Sequence, residues 1–304
     1  MSISTTRDSD DSIPIAKELN SKRIIYLTPE KEQCEPDTRR QFDGRDYHCN
    51  QCGKTLTSQH GYKYHITKIC VIKPKYTFVT TKEIDPLPTE KRQVIYIAGS
   101  QESGKSYRVM RYMTYWLKLF PERKIIVISR LDNDETFGEL EKHIVRLQPN
   151  IKWIEEKFNL DDFQDCLVIF DDIVSSKWSD NPDPKKSMKE NKMIQDYIRE
   201  LAVDICQNGR HHNTQLIITS HDLYDKEKTS KILKDATHMI IFIGTTGIHH
   251  LQYFLKEYCG LVRNQMNQVL SLKSRWIMIS KNDPKYIMYS HGIFRYDVLG
   301  LKTD

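Results

Sequence analysis

Short apolar runs recur along the chain between stretches of helical spacing. Val94 to Ala98, Lys124 to Ser129, Leu167 to Phe170, Leu216 to Thr219 and 237–243 each read as buried strands. Between them, residues 107–120 carry apolar side chains at helical spacing with no breaker before Pro121. Met193 to Cys206 has a stripe at Ile194, Tyr197, Ile198, Leu201 and Ile205. Residues 134–149 and about 249–272 also read as helical, and Trp153 as part of a short extended piece. Two further runs, at 275–280 and 285–290, flank Lys281-Asn282-Asp283-Pro284 and predict an antiparallel hairpin at the sheet edge. Strands alternating with helices predict an α/β fold with a mainly parallel central sheet flanked by helices. Residues 1–45 are polar and aperiodic and read as a flexible tail. Residues 74–92, with Pro74, Pro86 and Pro88, read as a linker, and 176–192 as a polar loop. The main domain is then 93–304.

The first apolar run leads into Gly99-Ser100-Gln101-Glu102-Ser103-Gly104-Lys105-Ser106, which fits G-x-x-x-x-G-K-[ST]. Strand, loop and helix follow one another as a phosphate-binding loop needs. Glycines let backbone N–H groups turn onto a polyphosphate, and the helix N-terminus adds positive potential. Lys105 is expected to bridge the β- and γ-phosphates, and the Ser106 hydroxyl to ligate Mg²⁺. The run ending at Phe170 meets Asp171-Asp172, an acidic pair in the position of a Walker B strand end. Asp171 is expected to hold Mg²⁺ and Asp172 to orient or deprotonate water. His221, just past the fourth run, is placed to contact a γ-phosphate. Arg130 and Asp132 end the second run and could line the site. Arg210 lies before the fourth run, at the end opposite His221. It cannot easily reach its own loop but could reach a neighbour's, as an arginine finger does. His211 and His212 have no further metal ligands at suitable spacing.

Ahead of this domain, residues 46–73 contain Cys49-x2-Cys52-x12-His65-x4-Cys70, spacing suited to Zn²⁺. Leu56 and Tyr62 fall where a ββα finger keeps its apolar core. His60 is an alternative ligand. Residues 47–82 hold six lysines and no acid, which suits a phosphate backbone. The base-reading positions would be Ser58, Gly61 and Tyr64, none suited to bidentate base contacts. Non-specific nucleic-acid contact or protein docking is therefore expected there.

Composition adds little beyond this. A net charge of +5 permits a nucleic-acid partner without requiring one. No apolar run is long enough for a membrane span, and no secretory signal is visible at the start. Seven scattered cysteines fit a reduced compartment. The absence of a guanine-reading N-K-x-D favours ATP by default.

The motif order is Walker A, an extra strand, an acidic-pair Walker B, and an arginine before a strand with a polar tip. This resembles the FtsK–HerA group of P-loop ATPases, and within it the poxvirus-type packaging ATPases of nucleocytoplasmic large DNA viruses. The resemblance spans about residues 93–290. It implies a homo-oligomeric ring that pumps double-stranded DNA into capsids, with Arg210 as the finger. It also implies capsid or packaging partners and a place in the host cytoplasm, in a viral factory, or in the virion. His221 stands where the wider group often has Gln, and Asp172 where it often has Glu. The amino-terminal finger is an addition to the family pattern. The alternative is a zinc-finger regulator that uses ATP as a conformational switch.

Overall fold

The computed structural model describes residues 2–7, 9–28, 40–42, 46–49, 55–65, 77–172 and 177–296. In chain order come β1 (Ser2–Ser4), β2 (Ile13–Glu18), β3 (Ile24–Thr28), β4 (Arg40–Phe42), β5 (Tyr47–Cys49), β6 (Thr55–Leu56) and α1 (Gln59–Tyr64). Then follow β7 (Thr77–Val79), β8 (Ile84–Pro86), β9 (Val94–Ala98), α2 (Lys105–Leu119), β10 (Ile125–Ile128), β11 (Ile144–Leu147), α3 (Trp153–Glu156) and β12 (Leu167–Phe170). The rest is α4 (Pro184–Asn208), β13 (Gln215–Ser220), α5 (Ser230–Asp235), β14 (His238–Ile241), α6 (Ile248–Glu257), α7 (Arg263–Leu270), β15 (Ile277–Ser280), β16 (Tyr286–Tyr289) and β17 (Gly292–Arg295).

The apolar runs form the middle of a ten-stranded sheet, ordered β11-β10-β12-β13-β9-β14-β15-β16-β17-β7. Its first six strands pair in parallel, and the remaining pairs are antiparallel. The expected hairpin is present as β15 and β16, but not at the sheet edge, because β17 and β7 pair beyond it. Every residue of β9 is buried because both sheet faces are covered. Val94, Tyr96 and Ala98 face one core, with Ile194, Ile198 and Ile205 of α4. Ile95 and Ile97 face the other, with Val109, Tyr112, Met113 and Trp116 of α2. The two helices therefore clamp opposite faces of the strand that carries the loop. Each such buried aliphatic side chain contributes about 1.5–3 kcal/mol of transfer free energy.

Several expectations need correction. The flexible-tail expectation fails for the strands ahead of residue 29: β1, β2 and β3 join β8 in a four-stranded sheet, ordered β1-β3-β2-β8. Ile15, Ala16, Ile25, Leu27 and Ile84 are buried in the same core as α2. The 74–92 stretch supplies β7 and β8 instead of acting only as a linker, because its backbone completes two sheets. Asp85 of β8, 1% exposed, binds α2 directly. Its Oδ1 accepts from Arg108 Nη1 at 2.5 Å, and its Oδ2 accepts from Arg111 Nε at 2.8 Å and Tyr115 Oη at 3.1 Å. Such a buried carboxylate is tolerable because every partner is a donor and two are cationic. Residues 134–149 hold a 3-10 turn, Gly138–His143, and the edge strand β11 in place of a helix. Trp153 opens the short helix α3, and the 249–272 stretch divides into α6 and α7. Helix α4 begins at Pro184, inside the expected polar loop, because Asp183 caps it by accepting from Lys185 N.

The described part of 46–73 runs hairpin then helix, β5–β6–α1. Tyr62 is buried there against Tyr47 and Leu56, the two tyrosine rings 5.6 Å apart. Ser58 caps α1 by accepting from Gly61 N at 3.1 Å, so its hydroxyl is already engaged. His65 is buried and His60 exposed. The side chains of Cys49, Cys52 and Cys70 lie outside the described residues. Among the described residues, no group of three or more His, Cys, Asp or Glu could hold a metal ion. No helix among them is long and apolar enough to cross a membrane.

His238, at the start of β14, gives the fold a measurable acid sensitivity. Burial pushes its pKa down from the ordinary 6.5 to about 4, with Lys91 adding to the effect. The unfolded chain protonates near 6.5 while the folded chain resists, so stability held above that pH falls as pH drops towards 4. The loss is about 3 kcal/mol. Urea unfolding near neutral pH and near pH 4 should show His238→Gln losing less stability than the parent between the two. Equal losses would show that His238 is not the cause.

Candidate functional site

The phosphate-loop sequence sits where the sheet places it, between the end of β9 and the start of α2. Its two motif glycines are required for different reasons. A Cβ on Gly99 would lie 2.5 Å from Ser103 Oγ and 2.9 Å from the Phe242 ring. Gly104 has φ +109°, a backbone that side chains rarely adopt. Glu102 also takes positive φ, at 60°, so the turn is tight on both sides of Ser103. Ser103 is buried, Gln101 and Glu102 are exposed, and Ser106 is partly buried at the first turn of α2.

Lys105 folds over its own loop. Its Nζ donates to Gly99 O at 2.8 Å and Ser100 O at 3.0 Å, and lies 3.2 Å from His221 Nδ1. Burial lowers its pKa, while Asp172 and Asp171 pull it back up. His221 Nε2 is 2.9 Å from Asp172 Oδ2. With Lys105 donating, Nδ1 is the acceptor and Nε2 carries the hydrogen towards Asp172. Lysine, histidine and aspartate thus form one chain across the ends of β9, β13 and β12.

Asp171 sits deeper. Thr219 Oγ1 donates to its Oδ1 at 2.8 Å, and Ser129 Oγ to its Oδ2 at 3.4 Å. Thr219 Oγ1 also accepts from Asp172 N at 2.9 Å, so one hydroxyl on β13 positions both acids. Burial raises the Asp171 pKa, and the Asp172 charge adds to it; the Thr219 hydrogen bond opposes both. Its hydrogen-bond donors are neutral hydroxyls, and a divalent cation beside it would favour the ionised form. Asp171 is therefore chemically suited to Mg²⁺, whose remaining ligands are ordinarily phosphate oxygens, hydroxyls and water.

The structure brings Lys105, Asp171, Asp172 and His221 together at the carboxyl ends of the parallel strands. It leaves Arg210 apart, exposed on the turn before β13. Arg130 and Asp132 are engaged elsewhere, with Asp180 and Gln148. His212 Nδ1 lies 3.1 Å from Asp161 Oδ1, both ahead of the amino ends of β13 and β12 and so away from the site. Reading the chain residue by residue misses Thr219, Phe242 beneath both loop glycines, and Arg275. The Arg275 Nη2 donates to Glu102 O at 3.2 Å. The polar end of the Leu216–Thr219 run was the one available signal for Thr219.

No family model matches the chain. Among solved structures, the genome packaging NTPase B204 from Sulfolobus turreted icosahedral virus 2, in complex with ATP-gammaS, overlaps with a TM-score of 0.44. It is 18% identical, and the overlap covers 66% of this chain and 96% of that one. The pCW3 conjugation coupling protein TcpA, with ATPgS, overlaps with a TM-score of 0.43 at 13% identity, covering 92% of this chain and 77% of that one. In sequence, the uncharacterized protein V3 of Sputnik virophage is 36% identical over 203 residues, which are 66% of this chain and 76% of that protein. The chain belongs to the family of this virophage protein V3.

Proposed function

We propose that the protein is a Mg²⁺-dependent ATPase that assembles as a ring and drives double-stranded DNA into a viral capsid. The observation that carries the hydrolase reading is the Lys105–His221–Asp172 chain drawn over a glycine loop, with buried Asp171 beside it. When phosphates occupy the loop, Lys105 leaves the Gly99 and Ser100 carbonyls for their oxygens, exchanging neutral acceptors for charged ones. His221, released from Lys105, stays bound to Asp172 through Nε2. Asp172 orients and deprotonates the attacking water, with His221 Nε2–H fixing one of its oxygens. Mg²⁺ held by Ser106 and Asp171 would neutralise charge on the β- and γ-oxygens. Arg210 acts on the site of a neighbouring subunit. Membership in a virophage protein family supports a viral setting, in the host cytoplasm or the virion.

The amino-terminal unit is proposed to hold Zn²⁺ through Cys49, Cys52, His65 and Cys70 and to contact DNA or a packaging partner. The hairpin–helix order and the buried His65 support this. Metal analysis should find zinc in the purified chain and little in Cys49→Ser.

The test of the motor is steady-state ATP hydrolysis with and without long double-stranded DNA, with mass read by light scattering. DNA stimulation in a ring-sized assembly is the expected result. A monomer whose slow hydrolysis ignores DNA would overturn the motor and favour a nucleotide switch.

A further inference from the structure

Helix α4 is longer than the strands it packs on. Its buried residues are Ile194, Ile198, Leu201, Ala202, Ile205 and Cys206. The residues ahead of them, Pro184 to Met193, make about 15 Å of helix that projects past the core. Because α4 ends at the turn before β13, this projection lies at the carboxyl ends of the parallel strands, the end that carries Lys105 and the acids. It is braced from within. Trp178 is buried in the core that α4 packs against. Asn191 Oδ1 accepts from Ser179 N at 2.8 Å. Glu190 accepts from Ser179 Oγ at 2.6 Å and from Asn181 Nδ2 at 2.8 Å.

These bonds sort the charges of the projection. Asp183 caps the helix, Glu190 is taken by Ser179 and Asn181, and Asp180 pairs with Arg130 at 3.0 Å. Every acid between residues 177 and 193 is thereby engaged. Lys186 stands near Glu190 and helps to keep its pKa low. Helical spacing puts Lys185, Lys189 and Lys192 on one exposed stripe, with Met188, 75% exposed, beside them. The stripe holds no acid, and among the described residues none of its three lysines has an ion-pair partner within 4 Å. One turn further on, Arg199 pairs with Asp196 and the stripe ends.

The composition of the stripe selects its partner. Protein interfaces are depleted in lysine and anchored by aromatic residues and arginine, and the stripe has neither anchor. It also has no Arg, Asn or Gln to read base edges in pairs. Three compact ammonium groups over about 10 Å of helix suit a uniform polyanion, and duplex DNA carries one charge per about 1.7 Å of its axis.

We propose that Lys185, Lys189 and Lys192 grip the phosphate backbone of duplex DNA and form the DNA contact of the ATPase domain. The proposal rests on the motor reading and gives that motor's DNA contact a place in the chain. The same helix ends beside the turn that carries Arg210, so the grip and the finger ride on one rigid element.

The experiment follows binding of a fluorescein-labelled DNA duplex of mixed sequence to the full chain by anisotropy, from about 50 to 200 mM salt. The parent is compared with a variant carrying Lys185→Gln, Lys189→Gln and Lys192→Gln together, and with one carrying arginine at the same three positions. The glutamine variant should bind at least about tenfold more weakly at low salt, and its salt slope should be smaller by about one for each lysine lost. The arginine variant should bind like the parent. ATP hydrolysis without DNA should stay at the parental rate in both, and its stimulation by DNA should be lost only with glutamine. If the parent binds duplex and the glutamine variant keeps its affinity and slope, the stripe assignment falls and the motor reading stands. Equal weakening by arginine and glutamine, or a matching fall in hydrolysis without DNA, would also overturn the assignment, because charge would not be the cause. If the parent binds no duplex, the motor reading falls and the stripe with it.

Discussion

Replacing Lys105 with alanine should remove nucleotide hydrolysis while leaving the fold intact. Lys105 Nζ rests on two loop carbonyls and His221, contacts that a β- or γ-phosphate would replace. Losing one charged donor aimed at developing phosphate charge costs about 100- to 1,000-fold in turnover. The stability effect should be small and of either sign, because Lys105 is partly buried and burial already lowers its pKa. Thermal unfolding should therefore move little while phosphate release drops to background. Lys105→Arg should not restore it, since a planar fork cannot take the position of a compact ammonium between Gly99 O and Ser100 O. If Lys105→Ala hydrolysed ATP at the parental rate, the loop would not be the phosphate site.

The strands that carry this site were legible in the sequence because each is buried on both faces. Continuous apolar runs such as Ile125–Ile128 and Leu167–Phe170 admit few other readings. The same clarity failed where burial is one-sided or local. Ile13–Glu18 carries Pro14, Lys17 and Glu18, yet Ile13, Ile15 and Ala16 pack on the α2 side of the core, with a register shift between Pro14 and Ala16 that breaks the alternation. Phe137, Leu140, Ile144 and Leu147 have helical spacing, but Gly138 takes φ +51° and residues 144–147 pair in parallel with β10. Tertiary pairing overrode the local period there. At the site, Lys105, Asp171 and Asp172 came from motif spacing alone. Thr219, Phe242 and Arg275 did not, because their roles depend on β13 lying beside β9 and on β14 and β15 following on the other side. No local pattern states that Arg275 touches Glu102, 173 residues earlier.

Arg210→Ala should spare ATP binding and reduce hydrolysis by about 1,000-fold or more, the scale of an arginine finger supplied in trans. Its placement argues for this. Six residues of β13 put about 17 Å between its turn and His221, so it cannot serve its own site. The turn is nonetheless firmly held. Arg92 donates to Ile205 O at 2.6 Å, Cys206 O at 3.1 Å and Thr214 O at 2.7 Å, tying the end of α4 to the start of β13. Thr214 Oγ1 donates to Phe163 O at 2.8 Å, and Asn213 Nδ2 to Asp165 at 2.7 Å. An exposed guanidinium on so braced a turn can be presented to a neighbour in a fixed position. The decisive measurement mixes the two inactive variants. A Lys105→Ala subunit still offers Arg210, and an Arg210→Ala subunit still has an intact loop. In a head-to-tail ring of equal parts, about a quarter of the interfaces regain both groups, so activity should return on mixing. A finger acting within its own subunit would give no recovery. An Arg210→Ala protein that hydrolyses normally by itself would remove the finger from the mechanism, leaving Lys105, Asp171, Asp172 and His221 as the groups that act.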